Sequence, residues 1–308
     1  MVFMVMQKAG GQLVENFYES SCPNVEGIVK EMAFAMYMQE NFSVPATLRL
    51  FFPDCFIEGC DASIMIDSPN CDAEKDAVDN LSLAGDGFDM VNKVKQAVEA
   101  ACPGVVSCAD ILAIAARDAV VLAGGPSFSV ELGRRDGLIS QASRVAGNIP
   151  EPSFNLTQLT TIFAKNNLSQ TDMIALSGAH TLGVSHCARI ADRLYGFPPD
   201  PYLDKNYKDQ LMLKCPLTAL TDGVITMDAT PLTFDNLYYK SLEKRKGLFI
   251  SDEVLFVESA SQPTVQDFAE NPYTFSRAFI AGMVKLGRVG VKTGIQGEIR
   301  RNCAAFNS

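Results

Sequence analysis

The sequence is poor in histidine, and this scarcity excludes several kinds of metal centre. Among its 308 residues, only His180 and His186 are histidines. A zinc site of the His-Glu-x-x-His type needs two histidines within one helical turn, and this chain has no such pair. It also lacks the Gly-x-x-x-x-Gly-Lys-Ser/Thr loop of nucleotide hydrolases and the Gly-x-Ser-x-Gly elbow of serine hydrolases. The chain therefore lacks the motifs on which zinc enzymes of this type, nucleotide hydrolases and serine hydrolases usually depend.

Basic runs and long apolar stretches are missing as well. The 26 Lys and Arg residues are outnumbered by 36 Asp and Glu residues, which makes the formal net charge −10. Nucleic acid and anionic membrane surfaces are therefore poor partners for the chain. No segment approaches the roughly 20 consecutive apolar residues of a membrane span. We expect neither nucleic acid nor a membrane as a partner.

The nine cysteines are spread along the chain without the Cys-x-x-Cys pairs that zinc sites use. This pattern predicts four disulfides with one thiol left over, and hence an oxidising, extracellular location. Residues 1–11 are apolar but shorter than a full signal peptide, so we interpret them as a residual leader and residues 12–308 as a single domain. The glycosylation sequons, which agree with secretion, begin at Asn41, Asn80, Asn155 and Asn167.

Apolar residues recur with the period of an α-helix through most of the chain. Strand signals are scarce, and the best of them is Phe128–Leu132. We therefore predict an all-α fold with long loops. The predicted helices are Asn24–Glu40, one opened by Pro45, Gly87–Ala101, Cys108–Leu122, Thr157–Asn166, Thr171–Ser177, His186–Tyr195, Tyr207–Cys215, Phe234–Lys246 and Thr264–Leu286.

Five segments carry a resemblance to a known family. In chain order they are Arg49–Ser63, Cys102–Leu112, Gly133–Gly137, Ala175–Thr181 and Phe234–Asn236. Together they resemble the class III secretory plant peroxidases. The resemblance implies an all-α fold of two lobes, with haem b between a distal and a proximal helical lobe, and two structural calcium ions. It also implies a secreted monomer that uses hydrogen peroxide to oxidise small phenolic donors.

The resemblance makes His180 the proximal ligand of the haem iron, as in other peroxidases. A ligating histidine usually donates its other ring N–H to a carboxylate or carbonyl, and Asp252 resembles the residue with that role. The alternative for His180 is a packed core histidine. For His186 we prefer a plain helix-face residue.

The resemblance also assigns disulfides and calcium ligands. The run of proximal ligands, Asp228-Ala-Thr-Pro231, is one residue shorter than the family's Asp-x-x-Thr-Pro. For both calcium sites the alternative is a solvated acidic loop without a metal ion. The implied disulfides are Cys22–Cys102, Cys55–Cys60, Cys108–Cys303 and Cys187–Cys215, with Cys71 left over. The implied distal ligands are Asp54, Asp61, Ser63 and the carbonyls of Ile57 and Gly59. The implied proximal ligands are Thr181, Asp228, Thr230, Asp235 and the carbonyl of Thr233.

The distal side resembles a peroxidase at every position but one. Cleaving hydrogen peroxide needs a base that moves a proton between the two oxygens and a cation that stabilises developing charge. Arg49 resembles the cation, Phe52 the aromatic wall beside haem, and Asn80 the residue that hydrogen-bonds the distal histidine. Pro150 resembles a substrate-contact proline, with a simple turn proline as the alternative. Where the family keeps its acid–base histidine, this sequence has Pro53.

Pro53 has no group that titrates or hydrogen-bonds peroxide. A positioned acid–base group contributes about 10²–10⁴-fold to a rate, so we predict a haem peroxidase with strongly reduced activity. Proline inside a helix also removes the hydrogen bond to the carbonyl of Arg49, at a cost of about 3 kcal/mol or more, and is expected to kink the segment. The alternatives are a base error in the codon, a non-catalytic haem-binding pseudoperoxidase, and a disulfide-linked structural domain without haem.

Overall fold

A computed structural model describes residues 12–308. The expected leader, residues 1–11, lies outside the described residues. Helices dominate the described part of the chain, which confirms the all-α prediction. The α-helices are α1 Val25–Gln39, α2 Ser43–Ile57, α3 Gly85–Ala101, α4 Cys108–Leu122, α5 Leu156–Lys165, α6 Gln170–Ser177, α7 Ala191–Tyr195, α8 Lys205–Lys214, α9 Leu237–Glu243, α10 Ile250–Val257, α11 Gln262–Glu270 and α12 Pro272–Leu286, and the strands are β1 Val184–His186 and β2 Val224–Thr226.

The helix ends follow local side-chain chemistry. Ser107 caps α4 by accepting a hydrogen bond from a first-turn backbone N–H, and Asn155 and Gln158 form a reciprocal capping box at the start of α5. α2 begins at Ser43, slightly before the predicted start at Pro45. Pro45 therefore lies in the first turn, where its missing N–H has no helical partner to lose.

The short strands are not where the sequence predicted them. Phe128–Leu132 forms no strand, and within it only Leu132 pairs, through an isolated bridge to Val14. Instead, β1 and β2 form a short antiparallel pair. Because His186 belongs to β1, the helix predicted from that residue begins only at Ala191, after a 3₁₀ turn. Backbone pairing with a distant segment thus replaces the helix that the local pattern favoured.

Helices in the C-terminal third also differ from the prediction. The predicted helix Thr264–Leu286 is divided into α11 and α12, because Pro272 has no N–H to continue the hydrogen-bond ladder and Asn271 caps the new helix. The predicted helix Phe234–Lys246 is shortened to α9. α10 was not predicted, since its eight residues are too few to show a clear helical period.

Two hydrophobic clusters form the interior. The larger one joins α1 to α6 with α9 to α12, and the smaller one lies around β1, β2, α7 and α8. α2 packs on α3 and α4, whereas α6 packs mainly on α12. The segments that carry the predicted distal and proximal residues are therefore anchored on different helices. None of the helices within residues 12–308 has the length and apolarity needed to cross a membrane.

Four disulfides connect these parts, and they are the pairs that the family resemblance implied. Cys108–Cys303 joins residues 195 positions apart and ties the chain end to α4. Cys187–Cys215 lies within the smaller cluster. Closing long loops in the unfolded chain stabilises a fold by about 2–4 kcal/mol per bridge. Cys71 is unpaired and exposed.

Candidate active site

His180 lies in a 3₁₀ turn directly after α6, and its ring is oriented by a buried carboxylate. Its Nδ1 is 2.7 Å from Oδ1 of Asp252. Asp252 also accepts hydrogen bonds from the Tyr238 hydroxyl at 2.8 Å and the Phe249 backbone N–H at 2.9 Å. Burial raises the pKa of the Asp252 carboxyl, but His180 and these hydrogen bonds outweigh burial and hold the pKa below its usual value. The carboxylate is therefore ionised and accepts the Nδ1 proton of His180, which leaves Nε2 as the ring atom available to a metal ion.

Protein covers the imidazole of His180 only in part. The His180 side chain is 37% exposed, whereas most of the preceding helix α6 is buried. The rings of Tyr238 and Phe249 lie edge-on to the imidazole, at centroid distances of 6.0 and 5.5 Å. A packed core histidine would be covered on both sides. An imidazole oriented through Nδ1, with Nε2 free, is the donor that haem iron takes from a proximal histidine.

One face of α2 is open in a similar way. Most of the helix is buried, yet the Arg49 side chain is exposed and Phe52 is half-buried. Burial, followed by the positive charge of Arg189, lowers the pKa of the Arg49 guanidinium to about 10. The Arg49 guanidinium is therefore close enough to Arg189 to be affected by its charge, while part of the side chain remains open to solvent. The Phe52 ring stacks on Phe56 at 4.2 Å and forms an aromatic wall.

The start of α2 and the turn of His180 are in contact. Gly183 follows His180 closely, and a Cβ built on Gly183 would lie 3.0 Å from Cβ of Pro45. Pro45 is one helical turn before Arg49. The turn of His180 and the start of the helix that carries Arg49 therefore lie side by side, and the region between His180 and Arg49 is called the cleft below. An imidazole on one side and a cation with an aromatic wall on the other form the arrangement expected around haem.

Pro53 is buried within α2, and the helix continues through it to Ile57. The proline therefore does not end the helix. It leaves the carbonyl of Arg49 without its helical N–H donor. Outside a disulfide, α2 has two residues with titratable side chains, Arg49 and Asp54. The Asp54 carboxylate accepts a hydrogen bond from the loop after the helix. This face of α2 consequently offers no proton acceptor.

Asn80 is buried, and only one end of its amide is hydrogen-bonded. Its Nδ2 donates to the backbone carbonyl of Glu74 at 2.9 Å. Its Oδ1 has no hydrogen-bond partner among the described residues. Leaving a buried acceptor unsatisfied costs about 1–3 kcal/mol. The family resemblance gives this oxygen a partner, the N–H of a distal histidine, and Pro53 stands at that histidine's position.

The distal loop holds buried carboxylates close together. Asp54 accepts backbone hydrogen bonds from Ala62 at 3.1 Å and Ile64 at 3.4 Å, and Asp61 accepts one from Ser63 at 3.0 Å. Burial, and then the charge of Asp61, raises the pKa of the Asp54 carboxyl to about 8. Two buried carboxylates of this kind are best stabilised by a cation, and oxygen ligands suit calcium.

The backbone and two further side chains complete this loop. Gly59 has φ +94°, and a Cβ there would lie 2.4 Å from the carbonyl oxygen of Gly290, so only glycine fits. The Ser63 hydroxyl donates to Glu74 at 3.0 Å, and Lys292 forms an ion pair with Asp61. Within residues 12–308, no three carboxylate, histidine or cysteine side chains are grouped as a metal centre. A calcium ion here would therefore need the hydroxyl and the carbonyls of Ile57 and Gly59 as well.

The proximal ligand candidates also come together, despite the shortened spacing. The Thr181 hydroxyl donates to Asp228 at 2.7 Å and to Asp235 at 3.2 Å. Thr230 donates to the other oxygen of Asp228 through its N–H at 2.7 Å and its hydroxyl at 3.1 Å. The N–H of Thr233 donates to the carbonyl of Thr230 at 2.8 Å. Burial raises the pKa of Asp228, and the charge of Asp235 adds to this effect.

Comparison with known proteins decides the family. The sequence profile of the family described as Peroxidase matches residues 29–271. Peroxidase 55 from Arabidopsis thaliana is 58% identical over 312 residues, covering 100% of this chain and 94% of the relative. Peroxidase 73 from the same plant is 56% identical, covering 96% of this chain and 92% of the relative. This chain belongs to the plant secretory peroxidases.

In this peroxidase, Pro150 stands in the turn before α5 and is half-buried. The carbonyl of the neighbouring Pro152 accepts a hydrogen bond from the Ser251 backbone N–H at 2.9 Å. Ser251 directly precedes Asp252, the partner of His180. The turn of Pro150 is therefore held close to the proximal half of the site.

Several residues of the site were not found from the sequence. Tyr238 lies just after the Phe234–Asn236 segment, and that position was the available signal for it. Arg189 and Lys292 carried no motif, because their contacts are made with distant parts of the chain. His186 was predicted on a helix face, but it is an exposed residue at the end of β1.

Proposed function

We propose that this peroxidase oxidises small phenolic donors with hydrogen peroxide, and that Pro53 strongly reduces the rate of peroxide cleavage. The observation that carries the proposal is the buried Oδ1 of Asn80, which lacks a partner although the surrounding site is assembled. The contact of His180 with Asp252 and the solvent exposure of Arg49 also support the proposal. Among the residues that the resemblance assigns to the distal side, the one missing is the proton carrier.

Haem b fits the donor set of the cleft. Nε2 of His180 would bind the iron, Asp252 would strengthen the imidazole as a donor, and Phe52 would cover part of the porphyrin. When bound, haem would supply the redox chemistry for a two-electron oxidation by hydrogen peroxide and for one-electron oxidations of phenols. An ionised partner for the histidine favours the higher oxidation states that this chemistry uses.

The chain's own residues can contribute to peroxide cleavage in two ways, through a positive charge and through proton transfer. Arg49 supplies a positive charge where negative charge develops on the leaving oxygen. Pro53 cannot accept the first proton of peroxide or return it, and Asn80 has no imidazole to orient. Loss of a positioned base costs about 10²–10⁴-fold in rate, which is roughly 3–5 kcal/mol of barrier. Turnover should therefore be slow but not abolished.

We also infer two calcium ions and a secreted location. The buried pair Asp54 and Asp61 supports the distal ion, and the cluster of Thr181 with Asp228 supports the proximal one. Four disulfides support an oxidising compartment. Metal analysis after dialysis against calcium should return about two ions per chain. Fewer than one ion per chain would overturn both assignments.

A haem-binding protein without turnover is the second candidate, and Pro53 itself favours it. The chain would then bind haem through His180 but leave peroxide uncleaved. A third candidate, a structural domain without haem, is opposed by the orientation of His180 and its free Nε2. A Soret band with histidine-ligated high-spin iron separates the third candidate from the others, and its absence would reject the haem assignment.

Stopped-flow mixing of the holoprotein with hydrogen peroxide tests the proposal. Pro53→His should raise the second-order rate constant by about 10²–10⁴-fold, because Asn80 is already placed to hold the new imidazole. Pro53→Ala is the matched control, since it removes the proline without adding a base, and its rate should stay near that of the wild type. Equal rates for wild type and Pro53→His would contradict the role given to position 53. No peroxide reaction in either protein would favour the second candidate.

A further inference from the structure

Arg193 is a buried arginine on α7 that joins the smaller hydrophobic cluster to the proximal side of the site. Its side chain is 3% exposed, and two carboxylates flank its guanidinium. Nε forms an ion pair with Asp200, and Nη2 is 3.3 Å from Oε2 of Glu253. A buried charge is costly unless it is paired and hydrogen-bonded, and both carboxylates meet that need here.

The same guanidinium holds the segment that leads into α10. Its Nη1 donates to the backbone carbonyl of Gly247 and, at 3.0 Å, to that of Phe249. On the other side, Oε2 of Glu253 accepts a hydrogen bond from the Gly247 N–H at 3.0 Å. Residues 247–249 are therefore fixed between α7 and the first residues of α10.

Phe249 carries this restraint to the proximal histidine. Its N–H donates to Oδ2 of Asp252 at 2.9 Å, and Oδ1 of Asp252 is 2.7 Å from Nδ1 of His180. The Phe249 ring also lies edge-on to the imidazole, with the ring centroids 5.5 Å apart. Arg193 thus acts on His180 through one residue that makes both a hydrogen-bonded contact, by way of Asp252, and a ring contact.

The position of Asp252 depends on where α10 begins. Asp252 lies in the first turn of this helix and accepts the N–H of Phe249, the residue before it. α10 has eight residues, and a helix this short is not stable by itself in water, so contacts from outside must hold its first turn. Arg193 supplies such contacts at the carbonyls of Gly247 and Phe249.

We propose that Arg193 is a positioning residue for the proximal imidazole and tunes the reduction potential of bound haem through Phe249 and Asp252. The inference rests on the proposed function, because it concerns the iron that His180 would bind. Without the restraint on Phe249, the carboxylate moves out of line with the Nδ1 proton and the hydrogen bond weakens. The imidazole then donates less charge to the iron, and the midpoint potential becomes more positive.

Arg193→Lys separates this geometry from charge. Burial raises the pKa of Glu253 to about 7, and Arg193 is the first group to oppose the rise, so a cation is needed here. Lysine keeps that cation, but its three N–H donors cannot replace the planar fork that meets two carboxylates and two carbonyls. We expect it to keep Asp200 and Glu253, which bind a cation more strongly, and to release the backbone carbonyls.

Spectroelectrochemistry and resonance Raman spectroscopy of the holoproteins test the inference, since neither depends on peroxide turnover. In Arg193→Lys, the midpoint potential should be more positive than in the wild type. The iron–histidine stretching frequency of the ferrous haem should fall, because the imidazole loses anionic character. Haem transfer to an acceptor protein should be faster by up to about tenfold, the low end of the cost of losing a direct partner of a ligating histidine.

Arg134→Lys is the matched control for the loss of a buried guanidinium. The Arg134 side chain is also 3% exposed. It pairs with Asp110 at 2.8 Å and donates to two backbone carbonyls, those of Glu131 and Gly287. Because these contacts involve neither α10 nor the segment before it, Arg134→Lys should leave the potential and the stretching frequency unchanged, whatever stability it loses.

A double variant tests the route through Asp252. Asp252→Asn already weakens the hydrogen bond that Arg193 is inferred to position, so adding Arg193→Lys should shift the potential no further. An effect that bypasses Asp252 would instead add to that of Asp252→Asn.

Three results would overturn the inference. They are wild-type values in Arg193→Lys with haem bound, an equal shift in Arg134→Lys, and a shift that adds in full to that of Asp252→Asn. If Arg193→Lys does not fold, Asp200→Asn decides instead, because it keeps Arg193 but removes the charge that holds Nε. A smaller positive shift is then expected, and an unchanged potential would overturn the inference. A wild-type protein without a Soret band would reject the haem assignment of the proposed function.

Discussion

Pro53 leaves Arg49 as the only charged group that α2 directs to the cleft. Without a base on this face, peroxide must lose its proton to solvent before or during the reaction. The hydroperoxide anion, the form that has already lost this proton, then becomes the productive reactant. The guanidinium of Arg49 suits an anionic reactant, provided that it remains charged. Its pKa is lowered to about 10, so it stays positively charged through the neutral range.

The wild-type rate of reaction with peroxide should therefore rise with pH. Well below the pKa of hydrogen peroxide, the anion fraction grows about tenfold per pH unit, and the rate should follow it until Arg49 loses its proton near pH 10. Pro53→His should instead give a rate that levels off once its imidazole is neutral. Stopped-flow measurements from acidic to alkaline pH check this, and a flat wild-type profile would show that another group supplies the base.

Asp252 acts through His180, and its role can be separated from folding. Asp252→Asn keeps the side-chain size but removes the ionised acceptor that holds the Nδ1 proton. The imidazole becomes a weaker donor, so we expect the midpoint potential of bound haem to become more positive and haem to be released more readily. Spectroelectrochemistry measures the potential. Asp267→Asn, an exposed carboxylate of α11, is the control, and an equal shift in both variants would contradict a specific role.

At the scale of elements, α2 contains two prolines in unlike positions. Pro45 lies in the first turn, where no helical hydrogen bond is lost, whereas Pro53 lies in the interior and removes the donor to the Arg49 carbonyl. The helix persists because its buried residues pack against α3 and α4. Tertiary packing therefore compensates for an unfavourable residue at the position where the family's chemistry would be carried.

Pro53→Ala should stabilise the folded protein. Alanine restores the N–H donor to the carbonyl of Arg49, which is worth up to about 3 kcal/mol in a helix interior. Pro45→Ala should be neutral or slightly destabilising, since the first turn loses nothing to proline and the unfolded chain gains freedom. Guanidinium denaturation of the two holoproteins, with disulfides intact, compares their free energies of unfolding. A larger gain from Pro45→Ala than from Pro53→Ala would contradict this account of α2.

At the scale of the whole molecule, burial distinguishes sequons that are alike in sequence. Asn41, Asn155 and Asn167 are exposed, whereas Asn80 is 1% exposed. The Nδ2 of Asn80, where a glycan would be attached, donates to the carbonyl of Glu74. A glycan on this buried nitrogen would have to be accommodated in the core.

In a secreted preparation from plant cells, we expect glycans on the exposed sequons and none on Asn80. Mass spectrometry of peptides, with and without enzymatic deglycosylation, measures the occupancy of each sequon. Ser82→Ala, which removes the Asn80 sequon, should leave the yield of secreted protein unchanged, whereas Ser169→Ala should remove the glycan at Asn167. A substantial glycan on Asn80 in folded protein would contradict the placement of this side chain.

The apolar pattern of the sequence predicted helices correctly where a long amphipathic period agreed with the tertiary contacts of the segment. α3 and α4 agree with their predicted ranges closely. The β1 segment was wrongly predicted as a helix start, because its pairing partner β2 lies far along the chain. The break at Pro272 was missed although proline itself signals it, since the apolar pattern continues on both sides.

The sequence by itself determined the family, the cysteines available for bridging and the absence of a histidine at position 53. These follow from residue identities and their order, which need no coordinates. Only the tertiary structure decided that Asn80 keeps an unsatisfied oxygen and that Tyr238 and Phe249 share Asp252 with His180. These contacts join residues that are distant in the chain, and burial changes the energy of their polar groups in ways that no local pattern records.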